Sequence, residues 1–335
     1  MSVTIRDVAR AAGVSTATAA RALGGYGHAS PAARRKVSES ARRLGYRPNV
    51  VARALVSRAT TTVGLVVGDI ENPFFAAAAR GLADVMDAHG YTVLLANADE
   101  DAGRERRAVD ALRARQVDGM VVVPAPGASP EHLAELVAAG VPLVLLDRVV
   151  VGVAADSVLA RNVAGARAAV AHLAGLGHRR IGVVSDSPEI TSSAERIQGY
   201  RQALRAAGIA PEPGLISIGG PTRDDGEAAA LRLLDRPDRP TAVFTANNFM
   251  TVGALRAARS LGLRIPEDVA LVGFDDLDWT TLVQPPVTVV RQPVAELGRV
   301  AGERLLRRLE GDAITPKRIR LDANLIVRRS CGAGA

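Results

Sequence analysis

Apolar residues recur along this chain with two rhythms. Between Ile5 and Leu44 they are small and spaced for helices. Ile5, Val8, Ala9 and Ala12 fall at i, i+3, i+4 and i+7, one face of a helix. Thr4 followed by Asp7 fits an N-terminal cap with its acid three residues on. Gly13 is placed to end that helix in a left-handed conformation. Ser15 caps a second helix whose inward face is Ala19, Ala22 and Leu23. A third helix is predicted from Pro31 to Leu44, with Ser30 as cap, Pro31 at the first helical position and Val37 and Leu44 facing inward. Small residues let the first two helices cross closely about a short turn, as in a helix-turn-helix. On spacing alone, an ordinary three-helix bundle is the alternative.

After the polar stretch "VSRATTT" the rhythm changes to short apolar runs alternating with helical patterns. Strands are predicted at 63–67, 92–96, 120–123 and 143–146, with helices at 74–89, 103–115 and 131–139. A second set follows, with strands at 181–184, 216–218, 242–245 and 269–273 and helices near 164–176, 194–207, 226–234 and 250–261. Continuous apolar strands alternating with helices imply parallel sheets covered on both faces. Two such sets imply an α/β body of two doubly wound lobes behind a small all-α headpiece.

Composition adds constraints. Hydrophobic residues make up 48% of the 335 and aromatics 3%, so Val, Leu, Ile and Ala must build the cores. No apolar run reaches the roughly 18 residues of a membrane helix, and "MSVTIRDVAR" lacks the apolar segment of a signal peptide. The single cysteine, Cys331, makes no intrachain disulfide. These features lead to the expectation of a cytoplasmic protein without a membrane partner. Charge is uneven: residues 1–62 hold eleven Lys or Arg against Asp7 and Glu39, a net of +9, whereas the remainder holds 31 against 33. A basic solubilising segment is the bland reading, and a domain that meets a polyanion the sharper one. The outward face of the second helix carries Thr16, Ala17, Ala20 and Arg21. With Ser15 at its N-terminus, such a helix enters the major groove, where Arg21 can pair bidentately with guanine and Thr16 and Ala17 can touch a thymine methyl. The candidate DNA-contacting residues here are therefore Ser15, Thr16, Ala17 and Arg21.

Ligands of doubly wound sheets bind outside the carboxyl ends of the strands, which for two facing lobes is the cleft between them. The residues predicted there are Asn72, Phe74, Phe75, Asp147, Arg148, Arg196, Asn247, Asp275 and Gln292. Carboxylates and amides serve vicinal hydroxyls, arginine adds charged donors, and aromatic faces cover the C–H side of a sugar ring. Each has a duller explanation: an Asp after a strand often caps the next helix, and paired phenylalanines are often core. Dinucleotide, Walker, nucleophile-elbow and H-E-x-x-H motifs are absent, and the five histidines lack metal-ligand spacing and fall mostly at helix ends, where solvation is expected. No catalytic residue, metal or cofactor is assigned.

"DVARAAGVS", Arg21, "SPAARRKV", "LGYRPN" and "ARAL" together resemble the DNA-binding headpiece of the LacI/GalR family of bacterial transcriptional regulators. The resemblance implies a hinge helix at about Asn49 to Val56 that folds on operator DNA. It adds Asn49, Ala52, Arg53 and Leu55 to the DNA-binding candidates, Leu55 as a wedge that kinks the duplex from the minor groove. Ala19-Ala20 stand where the family has Val-Ser, and Gly24 where it has Asn. Residues 63 to about 328 resemble the family's effector domain, whose fold is that of type I periplasmic sugar-binding proteins. All the candidate cleft residues except Asn72, a weaker match, sit where pentose-binding members carry ligand contacts. Pro221 replaces a usual aromatic, for which Trp279 could supply the missing wall, and "ANN" with Asn248 replaces "AND". The expected domains are a headpiece at 1–48, a hinge helix and linker at 49–62 and a two-lobed effector and dimerisation domain at 63–335.

The expectation is a homodimeric repressor of double-stranded operator DNA, controlled by a small, pentose-like sugar. The chain closes on "SCGAGA" without heptads, which points to a dimer rather than a tetramer. The alternatives are a sugar-binding module without a regulatory role, a sugar-processing enzyme and a regulator controlled by a phosphoprotein or a non-sugar ligand.

Overall fold

A computed structural model describes residues 3–24, 28–46, 60–127, 129–312 and 315–333. The chain forms two compact units, Met1–Thr62 and Val63–Ala335.

The first unit holds α1 (Ile5–Ala12), α2 (Thr16–Gly24) and α3 (Pro31–Leu44). Its core is Val8, Ala9, Ala12, Ala19, Val37 and Ala41, with Ile5, Val14, Ala22, Leu23, Leu44 and Tyr46 packed against them. The Thr4 amide and hydroxyl both donate to Asp7 Oδ2, at 2.9 and 2.7 Å, which fastens the start of α1. Gly13 ends α1 at φ 67°, where a side chain would be strained. The Ser15 and Ser30 hydroxyls accept from the amides of Thr18 and Ala33 and cap α2 and α3.

The second unit begins with β1 (Thr62–Val67), β2 (Thr92–Asn97), β3 (Gly119–Val122), β4 (Leu143–Leu146) and β5 (Asp156–Ala160). Between them lie α4 (Pro73–Ala88), α5 (Ala102–Ala114) and α6 (Glu131–Ala138). The chain then crosses to a second sheet of β6 (Ile181–Ser185), β7 (Ile216–Ile218), β8 (Ala242–Thr245), β9 (Ala270–Phe274) and β10 (Thr288–Arg291). Its helices are α7 (Asn162–Gly175), α8 (Thr191–Ala206), α9 (Arg223–Leu234), α10 (Asn248–Ser260) and the short α11 (Trp279–Leu282). The chain returns to the first lobe as α12 (Val294–Leu309) and β11 (Arg318–Leu321), then ends in the second as β12 (Asn324–Ile326). The sheet orders are β11-β5-β4-β3-β1-β2 and β12-β10-β9-β8-β6-β7, and only the β10–β12 pairing among those registered is antiparallel. Three crossings therefore join the lobes, after β5, β10 and β11.

The strands predicted from sequence are all present within a residue or two of their expected ends. Strand β5, between β4 and β11, escapes the apolar pattern because it opens with Asp156 and Ser157. Asp156 is fully buried and binds Arg304 Nη2 at 2.9 Å, Arg308 Nε at 2.8 Å and the Lys317 amide at 2.7 Å. It thereby ties β5 to α12 and to the approach to β11. Leu297, Ala301 and Leu305 of α12 complete the core that includes Val63, Leu65, Leu82 and Val144.

Helix pairs around each sheet meet at glycines. A Cβ at Gly298 of α12 would stand 1.9 Å from the Ala78 carbonyl oxygen of α4, and one at Gly81 would stand 2.0 Å from that of Ala295. Gly199 of α8 approaches α7, with Val163 O 2.4 Å from its missing Cβ, and Gly253 of α10 lies against Gly226 of α9. One sequence expectation fails here: His132 is buried rather than solvated, with Nε2 2.6 Å from the fully buried Glu105 carboxylate.

Candidate functional site

On the headpiece, Ser15, Thr16, Ala17 and Arg21 are exposed, and Ala20 is half-buried. The Ser15 hydroxyl also meets Thr18 Oγ1 at 2.9 Å, so its first role is to cap α2. Arg6, Arg10, Arg34, Arg35, Lys36, Arg42 and Arg43 are all exposed as well. Two acids against this number of solvated cations leave the unit strongly positive, as a polyanion-binding surface requires. Asn49, Ala52, Arg53 and Leu55 lie outside the described residues.

In the two-lobed unit all nine cleft candidates come together. Asn72, Phe74, Phe75, Asp147, Arg148, Arg196, Asn247, Asp275 and Gln292 line one cleft between the lobes, with about 510 Å³ of non-protein space that is partly open to solvent. Strand ends and helix starts deliver them. Asn72 caps α4, its Oδ1 accepting from the Phe74 amide at 3.1 Å, which sets Phe74 and Phe75 in the first turn as an edge-to-face pair 5.2 Å apart. Asn247 caps α10 in the same way, accepting from the Met250 amide at 2.9 Å. Asp147 and Asp275 follow β4 and β9 with φ of 64° and 77°. This region is uncommon for a residue with a side chain and costs of order 1–3 kcal/mol, a strain that gathers at functional sites. Neither aspartate caps the helix that follows it; both turn into the cleft.

Arg196 donates Nε to Asn162 Oδ1 at 2.9 Å and Nη1 to the Ala246 carbonyl at 2.7 Å, with its guanidinium 4.0 Å from the Phe274 ring centre. Asp275 accepts from Gln292 Nε2 at 2.6 Å and from both the amide and Nδ2 of Asn248 at 3.1 Å. Asn248 Nδ2 also reaches across to Asn72 Oδ1 at 3.0 Å. An aspartate at 248 could not donate to Asp275 and would repel it, so the "ANN" variation matches the carboxylate it faces. Two further bonds cross between the lobes, from Ser192 Oγ to Asp147 Oδ2 at 3.3 Å and from the Val149 amide to Thr191 Oγ1 at 3.1 Å.

Sequence reasoning missed Asp69, Glu100, Asp186, Ile190, Ser192, Ser193 and Phe249, which also line the cleft. Glu100 and Asp186 stand just beyond β2 and β6, and the strand-end rule applied to every strand would have found them. Trp279 does not supply a ring wall; it packs against the core of the second lobe, while Phe249 lines the cleft beside Pro221. Burial pushes the Asp147 carboxyl above the usual aspartate range against the charges of Arg148 and Arg196, and it does the same to Asp186 against a hydrogen bond from Ser193. Burial opposes the Arg148 charge, but Glu100, by charge and hydrogen bonds, with Asp147, raises the Arg148 pKa overall.

Comparison with known proteins agrees with these two parts of the chain. Residues 4–49 match the family of bacterial regulatory proteins, lacI family, and residues 170–331 match a periplasmic binding protein-like domain. The HTH-type transcriptional repressor CytR of Escherichia coli (strain K12) is 36% identical over 98% of this chain and 96% of its own. The structure of the complex of the transcriptional regulator CelR with cellobiose is similar over 98% of this chain and 99% of that one, at 36% identity and a TM-score of 0.75. The lac repressor dimer bound to operator and the anti-inducer ONPF is similar over 99% of each chain, at 27% identity and a TM-score of 0.87. With a helix-turn-helix in its first unit, a lined inter-lobe cleft in its second and relatives of this likeness over nearly all of its sequence, the chain belongs to the lacI family of bacterial regulatory proteins and is a DNA-binding transcriptional regulator.

Proposed function

We propose that the protein is a repressor whose affinity for operator DNA is set by a small sugar held in the inter-lobe cleft. The observation that carries this reading is the convergence of Asn72, Phe74, Phe75, Asp147, Arg148, Arg196, Asn247, Asp275 and Gln292 on one cleft. Amide and carboxylate groups there face aromatic rings, the mixture that a ring with hydroxyls on its edge and C–H on its face requires. The relative whose structure is a complex with cellobiose supports a sugar as the class of ligand. In this reading Ser15, Thr16, Ala17 and Arg21 meet bases or phosphates, and Asn49, Ala52, Arg53 and Leu55 form the segment that orders on DNA.

The protein acts as a homodimer, as the lac repressor does on its operator, and two headpieces then read a pseudo-palindrome. It works in the cytoplasm, where the DNA is, and catalyses no reaction; no helix among the described residues is long and apolar enough to cross a membrane. A sugar that binds the DNA-bound and DNA-free protein unequally shifts the DNA-binding equilibrium by the same free energy, about 1–3 kcal/mol in typical cases, or 5- to 150-fold in affinity. The test is a gel shift on fragments flanking the gene, repeated with neutral pentoses, hexoses and disaccharides. Retardation that one sugar alters is the expected result. Retardation indifferent to every sugar, with no heat of sugar binding by calorimetry, removes the sugar from the reading.

A further inference from the structure

We propose that the cleft selects an uncharged or cationic ligand rich in hydrogen-bond donors and rejects phosphorylated and acidic sugars, with Glu100 and Asp186 as the residues that set this preference. The inference rests on the reading of the cleft as a ligand site and goes further by stating the charge of the ligand.

Five carboxylates line the cleft, those of Asp69, Glu100, Asp147, Asp186 and Asp275, against the guanidiniums of Arg148 and Arg196. An anion would still find a home if the arginines presented most of their donors freely. Most are already committed. Glu100 faces Arg148 with both oxygens, Oε1 2.8 Å from Nη2 and Oε2 bonded to Nη1, and Nη1 also donates to the Pro124 carbonyl at 3.1 Å. Arg196 gives Nε and Nη1 to Asn162 and Ala246 within the wall. Asp186 takes a second set of donors, accepting from Asn247 Nδ2 at 2.8 Å and from the Ser193 hydroxyl.

The buried polar atoms of the cleft without a hydrogen-bond partner state what is missing. They include Asp147 Oδ1 and Gln292 Oε1, which accept, and Arg148 Nε, which donates. Their residues are 5, 5 and 7% exposed, so water satisfies these atoms poorly. A polyol or an amine supplies donors to the two acceptors. A phosphate supplies acceptors and brings negative charge beside carboxylates in a poorly screened site. Glu100 is not a side chain that swings away on demand. It sits with Asp99 in the left-handed region, at φ 54° and 50°, and its Oε1 lies where a Cβ on Gly68 would be, 2.3 Å from that position. Gly68 thus leaves the space that the carboxylate fills.

The test is calorimetry on the full chain with neutral pentoses and hexoses and with their phosphates, among them D-ribose and D-ribose 5-phosphate. Wild-type protein should bind a neutral sugar and bind the phosphate of that sugar at least about tenfold more weakly. Glu100→Gln and Asp186→Asn should each narrow that gap, because each frees a donor and removes a charge, with cooperative thermal unfolding as the check on folding. A wild-type protein that takes the phosphate as tightly as the parent sugar overturns the inference and leaves the sugar reading in place. An unchanged gap in both folded variants overturns the role of Glu100 and Asp186. If neither variant folds, the wild-type comparison alone decides the ligand charge. Heat from no sugar of either kind overturns the sugar reading, and the inference with it.

Discussion

Asp156 has no exposed surface and stands at the head of β5, where two arginines of α12 and a backbone amide bind it. Burial alone would raise its pKa, and the hydrogen bonds from Arg308, Lys317 and Arg304 more than offset that, so its folded value lies below the ordinary 3.8. A lowered folded pKa contributes stability that is present above the unfolded value and lost as pH falls through the folded one. Asp156→Ala strands two guanidiniums, and we expect a loss of about 3–5 kcal/mol at pH 7 in denaturant unfolding. The deficit relative to wild type should shrink below pH 3.8, where wild type loses the same interaction; a deficit that stays constant into strong acid would contradict this account. Arg21 is the matching prediction on the headpiece. It is exposed, so Arg21→Ala should leave folding intact and weaken a selected DNA site by about 1–3 kcal/mol while binding to scrambled duplex changes little. Equal losses on both duplexes would make it a phosphate contact instead.

Three of the elements that aim at the cleft, α4, α8 and α10, are helices, and each is seated by a glycine about two turns or less from its start. Gly81 and Gly298 bring α4 and α12 into backbone contact, which fixes where Asn72, Phe74 and Phe75 stand; Gly199 does the same for α8 and Arg196, and Gly253 for α10 and Asn247. Gly298→Val must push α12 off α4 and is expected to cost about 1–3 kcal/mol or more by overpacking. Ligand affinity should fall with it, read as a lower thermal midpoint and a weaker calorimetric response; an unchanged midpoint would mean that the two helices have room to slide. Much of this was legible beforehand. The apolar runs located β1 to β4 and β6 to β9, the capping pairs Thr4–Asp7 and Ser30–Pro31 located α1 and α3, and the strand-end rule gathered nine residues at one cleft. Among what stayed hidden are elements whose polar residues are satisfied at long range. β5 hides behind Asp156, whose partners lie some 150 residues away, and β11 has three partly exposed residues and one exposed residue in four. His132 looked solvated for the same reason, because Glu105 is on another helix.

At the scale of the whole molecule, neither lobe is a continuous piece of sequence. The first lobe takes α12 and β11 from the far end of the chain, and the second takes β12 after them. A chain cut after Gln292 should therefore lose more than its last elements. It lacks Leu297, Ala301 and Leu305 from the first core and the partner of β5, and we expect it to be degraded by protease at concentrations the full chain survives. Resistance equal to that of the full chain would show that the first lobe closes its core without α12.

The returning segment also sets a timetable for birth on the ribosome. The last residue of β5 is Ala160 and the first of β11 is Arg318. At the usual elongation rates of about 5–20 residues per second, roughly 8 to 32 s separate the synthesis of these edges. Through that interval the first lobe waits with an open sheet margin and an unfilled apolar floor, while the second lobe is being made beside it. Nascent chains of this protein should thus be clients of trigger-type chaperones until translation is almost over, and a stall late in the message should be more harmful than one in the middle.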